Sequence, residues 1–279
     1  MSRPLILVTN DDGIASPGLR AAAEAVVDLG DLLVVAPADG QTSMSRALSS
    51  GPGVGAITAT TLEVGGHGVT AYAVVASPAL AVAHAMLELA DRRPALCVSG
   101  VNYGENIGGG LGVSGTIGAA MQAASYDIPA LAASLQVDVS DWHAADERDW
   151  SAAIYFTRLL ATQLLDEGLP EEVALVNLNV PDTATTSTPW RQTTQSRLAY
   201  YLQKHPGGRD RGTPIRLAVA VNPDQSRVEP GSDVEALVRD RIVSVTPLAW
   251  SWTAATSWRP RPVKRPGGHS KLLDGGYIN

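Results

Sequence analysis

Leu5-Ile6-Leu7-Val8-Thr9-Asn10-Asp11-Asp12-Gly13-Ile14 is the stretch on which the fold turns. Its first four side chains are a continuous apolar run, as expected of a strand covered by helices on both faces. Ser16-Pro17 follows as N-cap and first helical residue. Leu19, Ala23 and Val26 mark the face of a helix that stops at Gly30. The same alternation recurs downstream. Leu32-Leu33-Val34-Val35 reads as a strand, Ser77-Pro78 opens a helix to about Asp91, and Ala95-Leu96-Cys97-Val98 reads as a strand. A helix fits Thr116 to Ser125, a strand Ala130 to Ala133, a helical face Ala153, Phe156, Leu160 and Leu164, and a strand Ala174 to Leu178. Alternating strands and helices predict an α/β fold with a mostly parallel sheet, helices on both faces and right-handed crossovers.

The pattern changes after Pro181. Segments 186–222 and 229–248 hold β-type runs such as Ile242-Val243-Ser244-Val245 and no convincing helix. The reading is therefore a catalytic core at 1–185, a β-rich C-terminal extension at 186–250 and a tail at 251–279. Arg259, Arg261, Lys264 and Arg265 lie among prolines and glycines in that tail, which is expected to be flexible or docked on a partner subunit.

Composition narrows the function. The chain has 279 residues, 45% of them apolar, enough for a large core. A net charge of −7 argues against binding a nucleic-acid polymer. Cys97 is the only cysteine, which rules out an intrachain disulfide and a thiolate metal cage. His67, His84, His143, His205 and His269 show no zinc spacing. No signal peptide or membrane span is visible, so the expected location is the cytoplasm, with no membrane partner.

In an open parallel sheet, ligands bind beyond the carboxyl ends of the strands. Three oxygen-rich segments fall at such ends: Thr9-Asn10-Asp11-Asp12-Gly13, Asp39-Gly40-Gln41-Thr42-Ser43-Met44-Ser45-Arg46, and Ser99 to Asn106 leading to Ser114-Gly115-Thr116. Adjacent carboxylates behind a buried strand repel each other and resist desolvation, a cost that a hard divalent cation removes. Asn-Asp-Asp-Gly is also good turn chemistry, so the first loop alone decides nothing. Ser114, Gly115 and Thr116 open a helix, whose free N–H groups and dipole attract an anion; simple N-capping explains Ser114 equally well. Gly110 to Gly115 spells G-x-G-x-x-G, but the preceding strand ends near Ser99, too early for a dinucleotide fingerprint. A Walker lysine motif and the D-x-D of aspartyl-phosphate enzymes are both absent.

At these loops the chain resembles the SurE survival-protein family of 5′/3′-nucleotidases. The resemblance rests on Ile6 to Ile14 with Pro17-Gly18, and on Ser99-Gly100-Val101-Asn102-x-Gly104-x-Asn106 followed by Ser114-Gly115-Thr116. Weaker echoes are Ala36-Pro37, Ser77-Pro78-Ala79, Asn177-Leu178-Asn179-Val180-Pro181 and Val243 to Leu248. The resemblance implies a Rossmann-like core, a C-terminal arm exchanged in homodimers or homotetramers, and one divalent cation per subunit, Mg²⁺ or Mn²⁺. It implies metal ligands at Asp11, Asp12, Thr42 and Asn102, with phosphate held by Asn106, Ser114, Gly115 and Thr116. Asp11, Asp12 and Asn102 would be catalytic. The implied activity is metal-assisted water attack on nucleoside 5′- or 3′-monophosphates. Five positions depart from the family's pattern. Thr42 replaces a serine, Arg46 stands where His or Asn is usual, Leu80 replaces an acid, and Gly109 and Gly110 replace aspartates. Arg46 either grips phosphate or faces solvent. The departures keep two alternatives open: a phosphatase for a sugar phosphate or specialised phosphomonoester, and a metal- and nucleotide-binding module without turnover.

Overall fold

A computed structural model describes residues 3–138, 148–208, 210–215, 217–251 and 253. The opening apolar run forms β1 (Leu5–Thr9), an interior strand of a nine-stranded sheet. Its side chains alternate between two cores, as the period of a strand dictates. Ile6 and Val8 face α1 (Pro17–Val26) and α4 (Ser151–Glu167) on one side. Leu5 and Leu7 face α2 (Pro78–His84) and α3 (Gly115–Ala124) on the other.

The remaining strands are β2 (Asp31–Pro37), β3 (Ile57–Val64), β4 (His67–Val74), β5 (Leu96–Tyr103), β6 (Ala130–Leu135), β7 (Leu175–Val180), β8 (Trp190–Gln192), β9 (Tyr201–Gln203), β10 (Val219–Val221) and β11 (Val243–Leu248). Sheet order is β3-β4-β2-β1-β5-β6-β7-β11-β8, and every neighbouring pair from β4 to β7 is parallel. The expected α/β class with a mostly parallel, two-sided sheet is what the chain adopts. Among the described residues, no helix is long and apolar enough to cross a membrane.

Several elements differ from the sequence reading. Helix α1 starts on Pro17 with the Ser16 hydroxyl accepting from Gly18 N–H (3.1 Å), but it ends at Val26, before Gly30. The β3–β4 hairpin is an addition to the read elements. It turns on Gly65 and Gly66, both at positive φ, a turn that suits the twist of paired strands. Strand β3 is mostly exposed and carries no buried stripe to betray it. Strand β5 runs on to Tyr103, so Ser99 to Asn102 lie within the strand; Asn102 and Tyr103 pair with Ser134 and Leu135 of β6. The extension holds a π-helical turn at Glu235–Arg239, where only β structure was expected; five residues are too few for a helical period to show.

Residues 186–250 do two things. Strands β8 and β11 complete the main sheet, with β11 antiparallel to β7, while β9 and β10 form a separate two-stranded ribbon. Ile107 joins Leu198, Tyr200, Val228, Val234 and Leu237 in a third, smaller core between this extension and the loop after β5. The tail read at 251–279, with Arg259 through Arg265, lies almost wholly outside the described residues.

Candidate metal and phosphate site

Strand order reverses at β1, which has β2 on one side and β5 on the other. A crevice at the carboxyl ends of two such strands is the ligand position of doubly wound sheets. Asp11 and Asp12 stand just beyond β1, and Asn102 stands at the end of β5. The loop after β2 closes the third side. Gln41 N–H donates to the Asp11 carbonyl (2.7 Å), and Gly40 packs on the Asp12 carbonyl.

Asp11 is buried, and Thr116 Oγ1 donates to its Oδ1 at 2.6 Å. Backbone N–H groups of Gly115 and Thr116 also favour its charged form. Contact with α3 is close: a methyl group on Gly115 would sit 2.7 Å from Asp11 Cβ and Oδ2. Asp12 Oδ2 accepts from Tyr103 N–H (3.2 Å). Burial pushes both carboxyls well above the ordinary carboxylate range, and the neighbouring Asp11 charge pushes Asp12 further. No cation among the described residues pairs with either.

Two crowded acids without a protein counter-charge fit a hard divalent cation. Asn102 adds a neutral oxygen: its Nδ2 is fixed on the Gly104 carbonyl (2.6 Å), which leaves Oδ1 as the free end of the amide. Thr42 follows Gln41 and is exposed, and no protein hydrogen bond ties it to the acids. With only two carboxylates, the set is not a cluster of three or more His, Cys, Asp or Glu; none exists among the described residues.

Ser114 caps α3, its hydroxyl accepting from Ile117 N–H (3.1 Å). Asn106 sits beside it, with Nδ2 donating to Thr116 Oγ1 (3.3 Å) and Ser134 Oγ (3.0 Å). Asn106, Thr116 and Asp11 therefore form one hydrogen-bonded chain from the loop after β5 to the end of β1. Arg46 goes elsewhere. Its Nε donates to Gln122 Oε1 (2.8 Å) and its guanidinium lies over the Trp250 ring (5.4 Å to the centroid). Gln122 is about 10 Å along α3 from the helix N-terminus, so the Arg46 guanidinium is held toward the middle of the helix while its backbone packs on the first turn.

Two of the substituted positions have a local setting that accounts for them. Leu80 is partly buried and packs on the α2–α3 core, a contact an acid would not make. Gly109 donates its N–H to the Leu198 carbonyl (2.7 Å), and a methyl group there would come 3.2 Å from that oxygen. The literal G-x-G-x-x-G begins in a 3₁₀ turn, Gly108–Val113, and no strand precedes it directly. Sequence reasoning gave no role to Ser134, Asn177 or Asn179, all buried and all bonded to Asn106. Two asparagines at i and i+2 in an otherwise apolar strand were the available signal.

The model of the family described as survival protein SurE matches residues 6–201. A protein of Methanocella arvoryzae named 5′-nucleotidase SurE is 40% identical over 258 residues, covering 89% of this chain and 93% of its own. One of the same name from Thermococcus kodakarensis is 37% identical over 254 residues, covering 91% and 95%. The crystal structure of the SurE protein from Aquifex aeolicus superposes with a TM-score of 0.68 at 26% identity, covering 90% of this chain and 95% of that one. Fold, switch-point loops and these likenesses agree: the chain belongs to the SurE survival-protein family.

Proposed function

We propose that this chain hydrolyses nucleoside monophosphates, 5′ or 3′, to nucleoside and phosphate. The observation that carries the proposal is the buried Asp11, set against the N-terminus of α3 with the half-buried Asp12 beside it in the chain. Relatives named 5′-nucleotidase support the substrate class.

Phosphoryl transfer asks for positioning and charge neutralisation more than for covalent chemistry. One Mg²⁺ or Mn²⁺ held by Asp11, Asp12, Asn102 and the Thr42 hydroxyl would supply Lewis-acid neutralisation of the phosphate charge. The protein's own groups do the rest. The α3 N-terminus attracts the phosphate oxygens through its N–H groups and dipole, with Ser114, Gly115 and Thr116 setting its shape. Asn106 offers an amide donor once its 3.3 Å bond to Thr116 yields. One of the two aspartates accepts a proton from the attacking water and so aims it at phosphorus; as the P–O ester bond breaks, a proton passes to the ester oxygen, which leaves as the nucleoside hydroxyl.

We also infer a homodimer or homotetramer joined through the 186–250 extension. Trp190, Leu202, Ile215 and Leu217 are 54%, 39%, 49% and 45% exposed on it, apolar side chains that a partner subunit would cover. Sedimentation tests that directly.

The test of function is phosphate release from a panel of nucleoside 5′- and 3′-monophosphates, sugar phosphates and other phosphomonoesters. It is run with chelator, then with Mg²⁺ or Mn²⁺ restored. Metal-restored hydrolysis that favours nucleotides supports the proposal. Preference for another phosphomonoester, or binding without release, would replace it.

A further inference from the structure

We propose that Asn177 and Asn179 are positioning residues that hold Asn106 for phosphate binding. The inference rests on the reading of Asn106 as a phosphate ligand. Both lie on β7, and the period of two puts them on the α3 side, whereas Leu178 and Val180 enter the opposite core. Asn179 grips the backbone of Asn106 at two points. Its Oδ1 accepts from Asn106 N–H (2.8 Å), and its Nδ2 donates to the Asn106 carbonyl (3.0 Å). Asn177 Nδ2 donates to the same carbonyl (2.9 Å). Three hydrogen bonds thus fix one loop residue whose side chain reaches Thr116 and Ser134.

Buried amides are costly unless bonded, so their placement at the end of an apolar strand calls for a partner. Their strand neighbours do not supply one. Ser244 and Thr246 of β11, opposite Asn179 and Asn177, both bond to the Thr193 hydroxyl (2.8 Å each). The asparagine amides are left to the Asn106 peptide. Asn177 does this at a loss, since its Oδ1 is buried with no protein partner. A strand residue serving stability alone would be apolar here.

The test measures inhibition of nucleoside release by inorganic phosphate in the full-length, metal-supplied protein, together with thermal melts. Asn179→Ala should weaken phosphate inhibition roughly tenfold and Asn177→Leu about threefold, given what one to two hydrogen bonds contribute. Asn177→Leu should melt no lower than the parent, because it removes the orphaned oxygen. Asn106→Ala combined with Asn179→Ala should be no weaker than Asn106→Ala alone, since the second acts through the first. Additive losses would overturn the inference. So would a lowered melting temperature with phosphate inhibition unchanged. If Asn106→Ala itself leaves phosphate inhibition intact, the phosphate reading of Asn106 fails first, and that outcome is distinct from an effect of Asn106→Ala without one of Asn179→Ala.

Discussion

Thr116 Oγ1 donates a 2.6 Å hydrogen bond to Asp11 Oδ1, fastening the first turn of α3 to the carboxyl end of β1. With the backbone N–H groups of Gly115 and Thr116, this bond joins the proposed anion cradle to the proposed cation ligands. Thr116→Val keeps the shape of the side chain and removes the bond. We expect a folded protein whose phosphate release falls at least about tenfold, as one charge-assisted hydrogen bond is worth. Steady-state rates and circular dichroism check this; activity within a factor of about two would deny the bond a functional part.

Gly115→Ala isolates the same contact from the other side. At a helix start alanine is intrinsically the better residue, yet its methyl group would press on Asp11 at 2.7 Å. The helix should persist while activity drops by an order of magnitude or more, roughly the cost of an overpacked contact. Unchanged kinetics would mean Asp11 moves aside freely.

The acid pair contributes to the pH dependence of the metal-free protein. Burial raises both carboxyls in the folded state, and Asp11 raises Asp12 again. The folded state thus holds protons more tightly than the unfolded chain. That stabilisation is complete below the ordinary carboxylate range and is lost as pH rises through the elevated folded values. Asp12→Asn does not titrate there. In chelator it should be more stable than the parent by ~2 kcal/mol at pH ~8, with the gap closing on acidification. Restoring Mg²⁺ or Mn²⁺ should stabilise the parent more than the variant. Melts across pH, with and without metal, decide it; a gap independent of pH would contradict the charge account.

Arg46 offers a contrasting case. Its backbone packs on the first turn of α3, but its guanidinium is engaged by Gln122 and Trp250. Arg46→Met should leave the KM for a phosphomonoester within a factor of about two and change stability by no more than ~1 kcal/mol. A large rise in KM would return Arg46 to the phosphate.

Much of this architecture was legible because buried strands write themselves as apolar runs. Leu5 to Val8 and Leu32 to Val35 needed no context, and Ser-Pro dipeptides at 16–17 and 77–78 marked helix starts within one residue. The β3–β4 hairpin escaped because an edge strand with one wet face has no continuous stripe. The far end of β5 escaped because Ser99 to Asn102 have loop-like side chains, and only pairing with β6 makes them strand. At the site, the twin acids announce themselves through their electrostatic cost. Asn177 and Asn179 could not, since their partner is a peptide group brought near only by the crossover. Arg46 was undecidable from sequence for the same reason: Gln122 and Trp250 are distant in the chain.

The central claim is that one divalent ion binds between Asp11, Asp12 and Asn102. Calorimetric titration of Mn²⁺ into the chelator-treated protein tests it most directly, beside Asp11→Asn/Asp12→Asn. The account predicts one ion per chain in the parent and an affinity at least about a hundredfold lower in the variant, since both anionic ligands are gone. Equal affinity in the two proteins would contradict it.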